Sequence, residues 1–207
     1  MRNAILIQAR YSSKRLPGKV IKKLSKKEIL LHVYENCKKS KIQKIIILTS
    51  RNKSDDVVVD FCKKNKIKYF RGSLKNVYLR YVSAIKKLNI DNFVRITGDS
   101  PMINYKLINM VFNKFNKKNY DIVTNVFPRS FPIGQSVEMI NGNTFTKNYK
   151  NTKLDEKEHI TKYFYNNFKK FKIINIKSNK NYSKKNLSIN TYNDYYRIKR
   201  IIENEKI

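Results

Sequence analysis

The stretch at residues 9–19, ARYSSKRLPGK, is rich in basic residues and contains no acidic one. It carries four cationic side chains and two hydroxyl groups: Arg10, Lys14, Arg15, Lys19, Ser12 and Ser13. Arginine offers a planar fork to phosphate oxygens and lysine a point charge, so the stretch predicts an anion-binding loop. The alternative is a solvated surface loop. The Leu16-Pro17-Gly18 turn favours binding, because it fixes the backbone between Arg10 and Lys19.

A second stretch whose side chains could bind a ligand or take part in catalysis is RITGDSP, at residues 95–101. Asp99 follows directly after a pattern typical of a buried strand. A carboxylate in this position can hold Mg²⁺ against the phosphates of a nucleotide, because Mg²⁺ prefers one or two carboxylates together with phosphate oxygens and water. The structural alternatives are an Asx turn or an N-cap for the next helix. The common glycine-rich phosphate motifs, G-x-x-x-x-G-K-[ST] and G-x-G-x-x-G, do not occur in the sequence.

The apolar pattern around these stretches alternates between strand and helix. Short runs that are apolar on both faces, such as AILIQA, KIIILTS and NFVRIT, predict buried strands. Helical spacing is found between such runs at residues 28–41, 54–66, 76–88 and 105–118. This alternation predicts an α/β fold with a doubly wound, mostly parallel sheet.

Beyond Asn125 the alternation breaks. Residues 127–150 or thereabouts are predicted to form a small excursion with its own short strand, SVEMI, inside a single domain of residues 1–207. A helix at 155–168, a strand at 171–176 and a last helix at 193–205 are predicted to follow. In open α/β sheets ligands bind outside the carboxyl ends of the strands. The basic loop, RGS at 71–73 and TGDSP at 97–101 are therefore expected to converge on one edge.

The net charge of +31 first suggests a nucleic-acid or membrane partner. The lysines are scattered over every segment, however, and the sequence is equally rich in Asn and Ile, which share A/T-rich codons with Lys. This argues against a nucleic-acid partner. The apolar runs are too short to span a bilayer, and no secretion signal is recognisable. Cys37 and Cys62 have no partner at metal-binding spacing and are predicted to be reduced core residues, as in a cytoplasmic protein.

Several motifs occur in a fixed order: I-Q-A-R-x-x-S-x-R-L-P-G-K, a strand ending T-S, F-R-G-S, R-I-T-G-D-x-P, V-E and E-H-x-T. Together they resemble the spore coat polysaccharide biosynthesis protein F family, within the cytidylyltransferases that make CMP-linked acidic sugars of the acylneuraminate and deoxy-octulosonate type. The resemblance covers nearly the whole chain. It implies a Rossmann-like fold of the nucleotide-diphospho-sugar transferase type and transfer of CMP from CTP to a sugar or sugar acid, for a surface polysaccharide. It also implies Mg²⁺ as cofactor and a homodimer that uses the excursion as its contact.

The resemblance assigns roles to individual residues. Arg10, Lys19 and Asp99 would be catalytic, with Asp99 as a ligand of Mg²⁺. The implied nucleotide-binding residues are Ala9, Arg10, Ser13, Arg15, Lys19, Ser50, Arg71, Ser73, Thr97 and Gly98. The implied acceptor-binding residues are Glu138, His159 and Thr161.

Two expected carboxylates are missing. Relatives carry L-D-T-P-E-D near the end, whereas this chain has LSINTYND, so Asn190 replaces an acid and would be a weaker metal ligand. Ser136 likewise stands where the excursion usually has an acid. Asp194 has capping-box spacing with Thr191, which favours a structural role.

Three explanations for the missing acids stay open. The enzyme uses one metal, or its acceptor needs less acid nearby, or the chain has lost catalysis and is a nucleotide-binding regulator or scaffold. A glycosyltransferase of related fold is a further alternative, but such enzymes commonly use a D-x-D motif, which this sequence lacks.

Overall fold

The computed structural model describes residues 1–13 and 15–204. Nine strands are present: β1 (Asn3–Gln8), β2 (Lys23–Leu24), β3 (Lys27–Glu28), β4 (Ile45–Ser50), β5 (Tyr69–Gly72), β6 (Asn92–Thr97), β7 (Ile122–Thr124), β8 (Glu138–Asn141) and β9 (Ile173–Asn175). Seven α-helices accompany them: α1 (Ile29–Lys38), α2 (Asp56–Lys64), α3 (Val77–Lys87), α4 (Tyr105–Phe115), α5 (Gly142–Lys147), α6 (Lys162–Asn166) and α7 (Tyr192–Asn204). These counts refer to the described ranges alone.

Seven of the strands form one central sheet in the order β5-β4-β1-β6-β8-β7-β9. β1 pairs in parallel with β4 and β6, and β5 extends the parallel part beyond β4. β8 runs antiparallel between β6 and β7, and β9 pairs in parallel with β7. The predicted α/β fold with a mostly parallel sheet is confirmed.

Helices cover both faces of the sheet because its central strands are apolar on both faces. Successive side chains of a strand point to opposite faces. Ile5 and Ile7 of β1 accordingly pack in a core with α1, α2 and α4, while Ala4 and Leu6 pack in a second core with α3, α5 and α6. All four side chains are fully buried.

The short strand SVEMI lies elsewhere than predicted. It was expected inside an excursion, but as β8 it belongs to the central sheet, where Glu138 pairs with Arg95 of β6. An isolated antiparallel bridge between Val126 and Arg129 is present in the loop before it. The domain bounds and the excursion at about 127–150 stay predictions.

The helix predicted at 155–168 is largely wrong. Only α6 is helical, and the residues before it form turns. The buried carboxylate of Glu156 explains the difference, since it accepts hydrogen bonds from the backbone N–H of Lys153 at 2.8 Å and from Asn166 at 3.0 Å. The bond to Asn166, ten positions away, folds the segment back on itself, whereas a straight helix would separate these two residues.

Two further predictions concern the state of the cysteines and the length of the apolar segments, and both can be compared with the described residues. Cys37 and Cys62 are free thiols buried in the core, as predicted. Burial raises the pKa of both thiols, that of Cys62 to about 12. Across the described ranges, every helix is too short or too polar to cross a membrane.

Candidate active site

A pocket of about 350 Å³ lies at the carboxyl ends of β1 and β6. The two strands are parallel neighbours with Gln8 opposite Thr97, so the loops that follow them begin side by side. The pocket is lined by Gln8, Ala9, Arg10, Ser13, Arg15, Lys19, Val20, Thr97, Gly98, Asp99 and Asn190. The structure thus brings together nine of the residues that the sequence singled out. Lys14 of the same loop lies outside the described residues.

The loop after β1 folds into a tight turn that places Lys19. The carbonyl of Tyr11 accepts hydrogen bonds from the N–H groups of Ser13 and Gly18, both at 2.9 Å. Gly18 has a φ of 67°, in the left-handed region that glycine adopts without strain. A Cβ at Gly18 would also lie 2.9 Å from the ring of Tyr11. The predicted turn therefore exists, and it requires glycine in this position.

The ammonium group of Lys19 is surrounded by oxygen atoms. It donates to the Asp99 carboxylate at 2.6 Å, to the Asn190 side-chain oxygen at 2.9 Å and to the Ile189 carbonyl at 2.9 Å. The Lys19 side chain is 11% exposed and that of Asp99 is 22% exposed. The Asp99 carboxylate neutralises this almost buried cation, and the three hydrogen bonds bring three distant segments to one point.

Asp55 supports the loop after β1, a role that the sequence analysis did not identify. Its fully buried carboxylate accepts hydrogen bonds from the backbone N–H of Tyr11 at 2.7 Å and from that of Ser50 at 3.1 Å. The Ser50 hydroxyl donates to the same carboxylate at 2.5 Å. Asp55 therefore ties the end of β4 to the loop after β1.

Three predicted nucleotide-binding residues have other partners in the structure. The hydroxyl of Ser50 is engaged by Asp55, and Arg71 pairs with Asp56 at 2.7 Å. The hydroxyl of Ser73 accepts the N–H of Asn76 at the start of α3. In the described ranges, Ser50, Arg71 and Ser73 are not part of the pocket lining. Their contact with a nucleotide stays a prediction.

A second pocket of about 170 Å³ adjoins the first and shares Gln8, Ala9 and Arg10 with it. Its remaining lining comes from Val77, Arg80, Arg95, Glu158 and His159. Arg10 stands between the pockets and pairs with Glu158 at 3.4 Å, in an ion pair whose two side chains are about half exposed. The second pocket therefore combines three arginines and a histidine with one carboxylate at its rim.

Arg80 is the unusual residue of the second pocket, and the sequence analysis did not identify it. It is 2% exposed, and its guanidinium donates only to backbone carbonyls, those of Ser73, Leu48 and Leu74, at 3.0 to 3.4 Å. Within the described ranges it has no ion pair. Burial lowers the pKa of Arg80, although Asp55 opposes this through its charge. A buried cation without a paired anion is costly, so this position favours an anionic ligand.

Arg95, in contrast, is fully paired. It forms an ion pair with Glu138 at 2.5 Å, and Glu138 also accepts a hydrogen bond from the hydroxyl of Tyr165 at 2.5 Å. Burial alone would lower the pKa of Arg95, but the charge of Glu138 outweighs it and raises that pKa. Burial first, and then Glu138, hold the pKa of Tyr165 well above its usual range.

The predicted acceptor-binding residues differ in whether they line a pocket. His159 lines the second pocket, whereas Glu138 lies behind Arg95 and is 2% exposed. Thr161 is also buried, at the start of α6. Within the described ranges, Glu138 and Thr161 do not line either pocket. Ser136 accepts a hydrogen bond from Arg129 at 2.9 Å.

The start of α7 holds Asn190 in place. The Asp194 carboxylate accepts the N–H groups of Asn190 and Thr191, both at 3.0 Å, and the Thr191 hydroxyl accepts the N–H of Asp194. The predicted capping box is confirmed. Burial alone would raise the pKa of Asp194, but hydrogen bonds from Arg197, Asn190 and Thr191 outweigh it and lower that pKa.

The oxygen atoms around Lys19 are also of the types that act as ligands of a metal ion. Asp99 gives one carboxylate, Asn190 an amide oxygen and Ile189 a carbonyl oxygen. The described residues contain no cluster of three or more His, Cys, Asp or Glu side chains at metal-binding distance. Such a set suits a hard divalent cation only if a substrate supplies further oxygen ligands, as nucleotide phosphates do.

The chain is similar to known proteins along its whole length. The family model described as Cytidylyltransferase matches residues 4–205. A solved cytidylyltransferase from Leptospira borgpetersenii superimposes with a TM-score of 0.95 and 35% identity, over 99% of this chain and 87% of that one.

Two curated relatives add detail. The spore coat polysaccharide biosynthesis protein SpsF of Bacillus subtilis is 27% identical over 209 residues, which are 96% of this chain and 85% of that protein. A 3-deoxy-manno-octulosonate cytidylyltransferase of Ruthia magnifica is 30% identical over 128 residues, 58% of this chain and half of that protein. The chain belongs to the cytidylyltransferase family, the nucleotidyltransferases that transfer CMP from CTP to an acceptor.

Proposed function

We propose that the chain transfers CMP from CTP to a hydroxyl group of a sugar acid and releases pyrophosphate. The observation that carries the proposal is the pair of adjoining pockets, with Arg10 between them and cationic side chains in both. A triphosphate and an acidic acceptor each need positive charge, and the two must meet at the α-phosphorus. The sugar oxygen would form the new bond there while the bond to pyrophosphate breaks.

The first pocket would bind the nucleotide. Arg10, Arg15 and Lys19 line it and can neutralise the phosphates and the departing pyrophosphate, which is the main catalytic contribution expected for such a transfer. Asp55 would keep the loop in shape, since it binds the backbone of Tyr11. Ala9, Ser13, Thr97 and Gly98 would contribute contacts along the pocket wall.

Asp99 and Asn190 would hold one Mg²⁺ in this pocket. Their oxygens converge on a single point, and one carboxylate with phosphate oxygens and water is a usual environment for Mg²⁺. The bound ion would orient the phosphates and offset their charge. The donor set of this chain therefore favours the one-metal explanation for the missing acids.

The second pocket would bind the acceptor. Arg80 is buried there without an ionic partner, and Arg10 and His159 face the same space. A carboxylate on the acceptor would supply the missing anion. The relative named as a 3-deoxy-manno-octulosonate cytidylyltransferase acts, as its name says, on a sugar acid. Glu138 would act on this pocket through Arg95, and Thr161 through the position of α6.

A second candidate is a nucleotide-binding regulator or scaffold that has lost turnover. The observation in its favour is the pair of neutral residues, Asn190 and Ser136, at positions where the resemblance implies acids. A homodimer in the cytoplasm accords with both candidates. The free, buried thiols support an intracellular location, and the resemblance to the family supports the dimer.

The test measures pyrophosphate release with CTP, Mg²⁺ and a panel of sugar acids, each paired with the neutral sugar of the same ring. We expect release with at least one acid and none with its neutral partner. Arg80→Met should raise the KM for the acid more than the KM for CTP. Lys162→Met is the control, because Lys162 pairs with Asp155 on the surface and lines neither pocket.

Three outcomes would count against the proposed function. Binding of CTP in calorimetry without pyrophosphate release for any acceptor would favour the regulator. Failure to bind CTP at all would contradict both, and an equal response to acids and neutral sugars would contradict the assignment of the second pocket.

A further inference from the structure

Lys19 already occupies the point where the proposed metal ligands converge. A lysine ammonium has three N–H donors and no acceptor. The Lys19 ammonium donates three hydrogen bonds, to oxygen atoms of Asp99, Asn190 and Ile189, at 2.6, 2.9 and 2.9 Å. The same three oxygens would be the protein ligands of a hard cation. Lys19 and a divalent ion therefore compete for one set of oxygen atoms.

The charge of the cluster also opposes binding of a metal alone. Asp99 contributes one negative charge and Lys19 one positive charge, so the pair is neutral, and Asn190 adds a dipole but no charge. An aspartate at position 190 would leave the cluster with a net negative charge beside the lysine. This chain lacks that charge, so the repulsion between a divalent ion and the ammonium offsets the attraction of the Asp99 carboxylate.

We infer that Lys19 is a placeholder for the metal and that Mg²⁺ binds only together with the nucleotide. The inference rests on the proposed assignment of Asp99 and Asn190 as metal ligands. The triphosphate provides a stronger anionic partner for Lys19, which leaves the oxygens to the ion. The change needs only side-chain rotation, because the backbone before Lys19 is held by the hydrogen bonds of Tyr11. Asn190 sets the order of binding, since it keeps the free cluster neutral.

The test is a titration with Mn²⁺, in which electron paramagnetic resonance reports the free ion. The protein is measured alone and with the non-reacting analogue α,β-methylene-CTP. We expect the unmodified protein to bind Mn²⁺ at least tenfold more weakly alone than with the analogue. Lys19→Met should bind Mn²⁺ alone at least tenfold more tightly than the unmodified protein, because the competing ammonium is gone.

Two further variants sharpen the result. Asn190→Asp should also bind Mn²⁺ alone more tightly, which tests the charge argument without removing Lys19. Lys22→Met is the matched control, because Lys22 lies three residues away and its ammonium stands over the rings of Tyr192 and Tyr195 instead. It should bind Mn²⁺ as the unmodified protein does. Thermal melting verifies that each variant is folded.

The inference is overturned if the unmodified protein binds Mn²⁺ equally well alone and with the analogue, or if neither Lys19→Met nor Asn190→Asp gains affinity. A separate calorimetric titration with the analogue tests the nucleotide site itself. Lack of analogue binding would contradict the proposed function, while the measurements with Mn²⁺ alone would still decide the role of Lys19.

Discussion

Two ion pairs of similar length, Arg95–Glu138 and Lys19–Asp99, differ in their surroundings. Arg95 and Glu138 face each other across β6 and β8 and are further bonded to Gln8 and Tyr165. Lys19 and Asp99 both lie in loops at the edge of the sheet, and Asp99 is 22% exposed against 2% for Glu138. The first pair joins two neighbouring strands and buries its carboxylate, although Arg95 also lines the second pocket, whereas the second pair lies in loops and exposes its carboxylate to the first pocket.

The two ion pairs are the same kind of interaction, but they are suited to different roles. A carboxylate that is buried, as Glu138 is, cannot exchange its partner without leaving a charge unpaired in the interior. A carboxylate that is exposed to a pocket, as Asp99 is, can do so, because water or a ligand replaces the lost partner. The Arg95–Glu138 pair is therefore suited to hold the sheet together, and the Lys19–Asp99 pair is suited to respond to a ligand.

The largest change in stability is expected from Glu138→Ala. It would leave Arg95 charged and buried without its anion, at a loss of about 3–5 kcal/mol in the free energy of unfolding. Urea unfolding followed by circular dichroism measures this loss. The double variant Arg95→Met with Glu138→Leu is the control and should recover most of it. A loss below about 1 kcal/mol for Glu138→Ala would show that the pair is solvated after all.

Asp55→Asn should have an intermediate effect. The N–H groups of Tyr11 and Ser50 bond different oxygens of Asp55, so an amide keeps one acceptor and places its NH2 group against the other N–H; about 1–3 kcal/mol of stability should be lost. The KM for CTP should rise as well, because the loop after β1 loses its support.

Asp56→Asn is the matched control for this prediction. Asp56 is the next residue, but it is half exposed and pairs with Arg71 near the surface, so a change of about 0–1 kcal/mol is expected. Equal losses for the two variants in urea unfolding would contradict the role assigned to Asp55.

Among the residues of the two ion pairs and Asp55, the smallest change in stability is expected from Asp99→Asn, although activity should fall by about a hundredfold or more. The asparagine oxygen still accepts from Lys19, so the free energy of unfolding should change by about 1 kcal/mol. Urea unfolding and initial rates of pyrophosphate release are measured on the same preparation. A loss of stability as large as that of Glu138→Ala would remove the distinction between the two pairs.

Most of the sheet could be predicted from the sequence because its strands are apolar on both faces and alternate with amphipathic helices. The predictions for β1, β4 and β6 agree with the structure to within a residue or two. β8 was placed wrongly because its membership of the sheet depends on antiparallel pairing with β6, which no local pattern reveals. The helix at 155–168 was overpredicted because the buried Glu156 bonds to Asn166, ten positions away, which no helical repeat brings into contact.

The residues of the candidate site also differ in whether they could be predicted from the sequence. Residues that follow β1 and β6 directly were predictable, since strand ends are where ligands bind in such sheets. Asp55 and Arg80 were not, because their importance comes from burial and from partners in other segments. Arg95 stood in a recognised motif, but its pairing with Glu138 follows from strand register alone.

The oxygen cluster around Lys19 has a consequence for the way the chain acquires its activity. Lys19 is separated from Asp99 by 80 positions and from Asn190 by 171. Most pairings of the parallel sheet are complete within the first hundred residues, whereas the cluster needs a segment close to residue 190. Contacts so far apart in sequence form late, after the entropy of closing the intervening chain has been lost. During synthesis the nascent protein would therefore acquire the parallel part of its sheet well before the pocket at the carboxyl ends of β1 and β6.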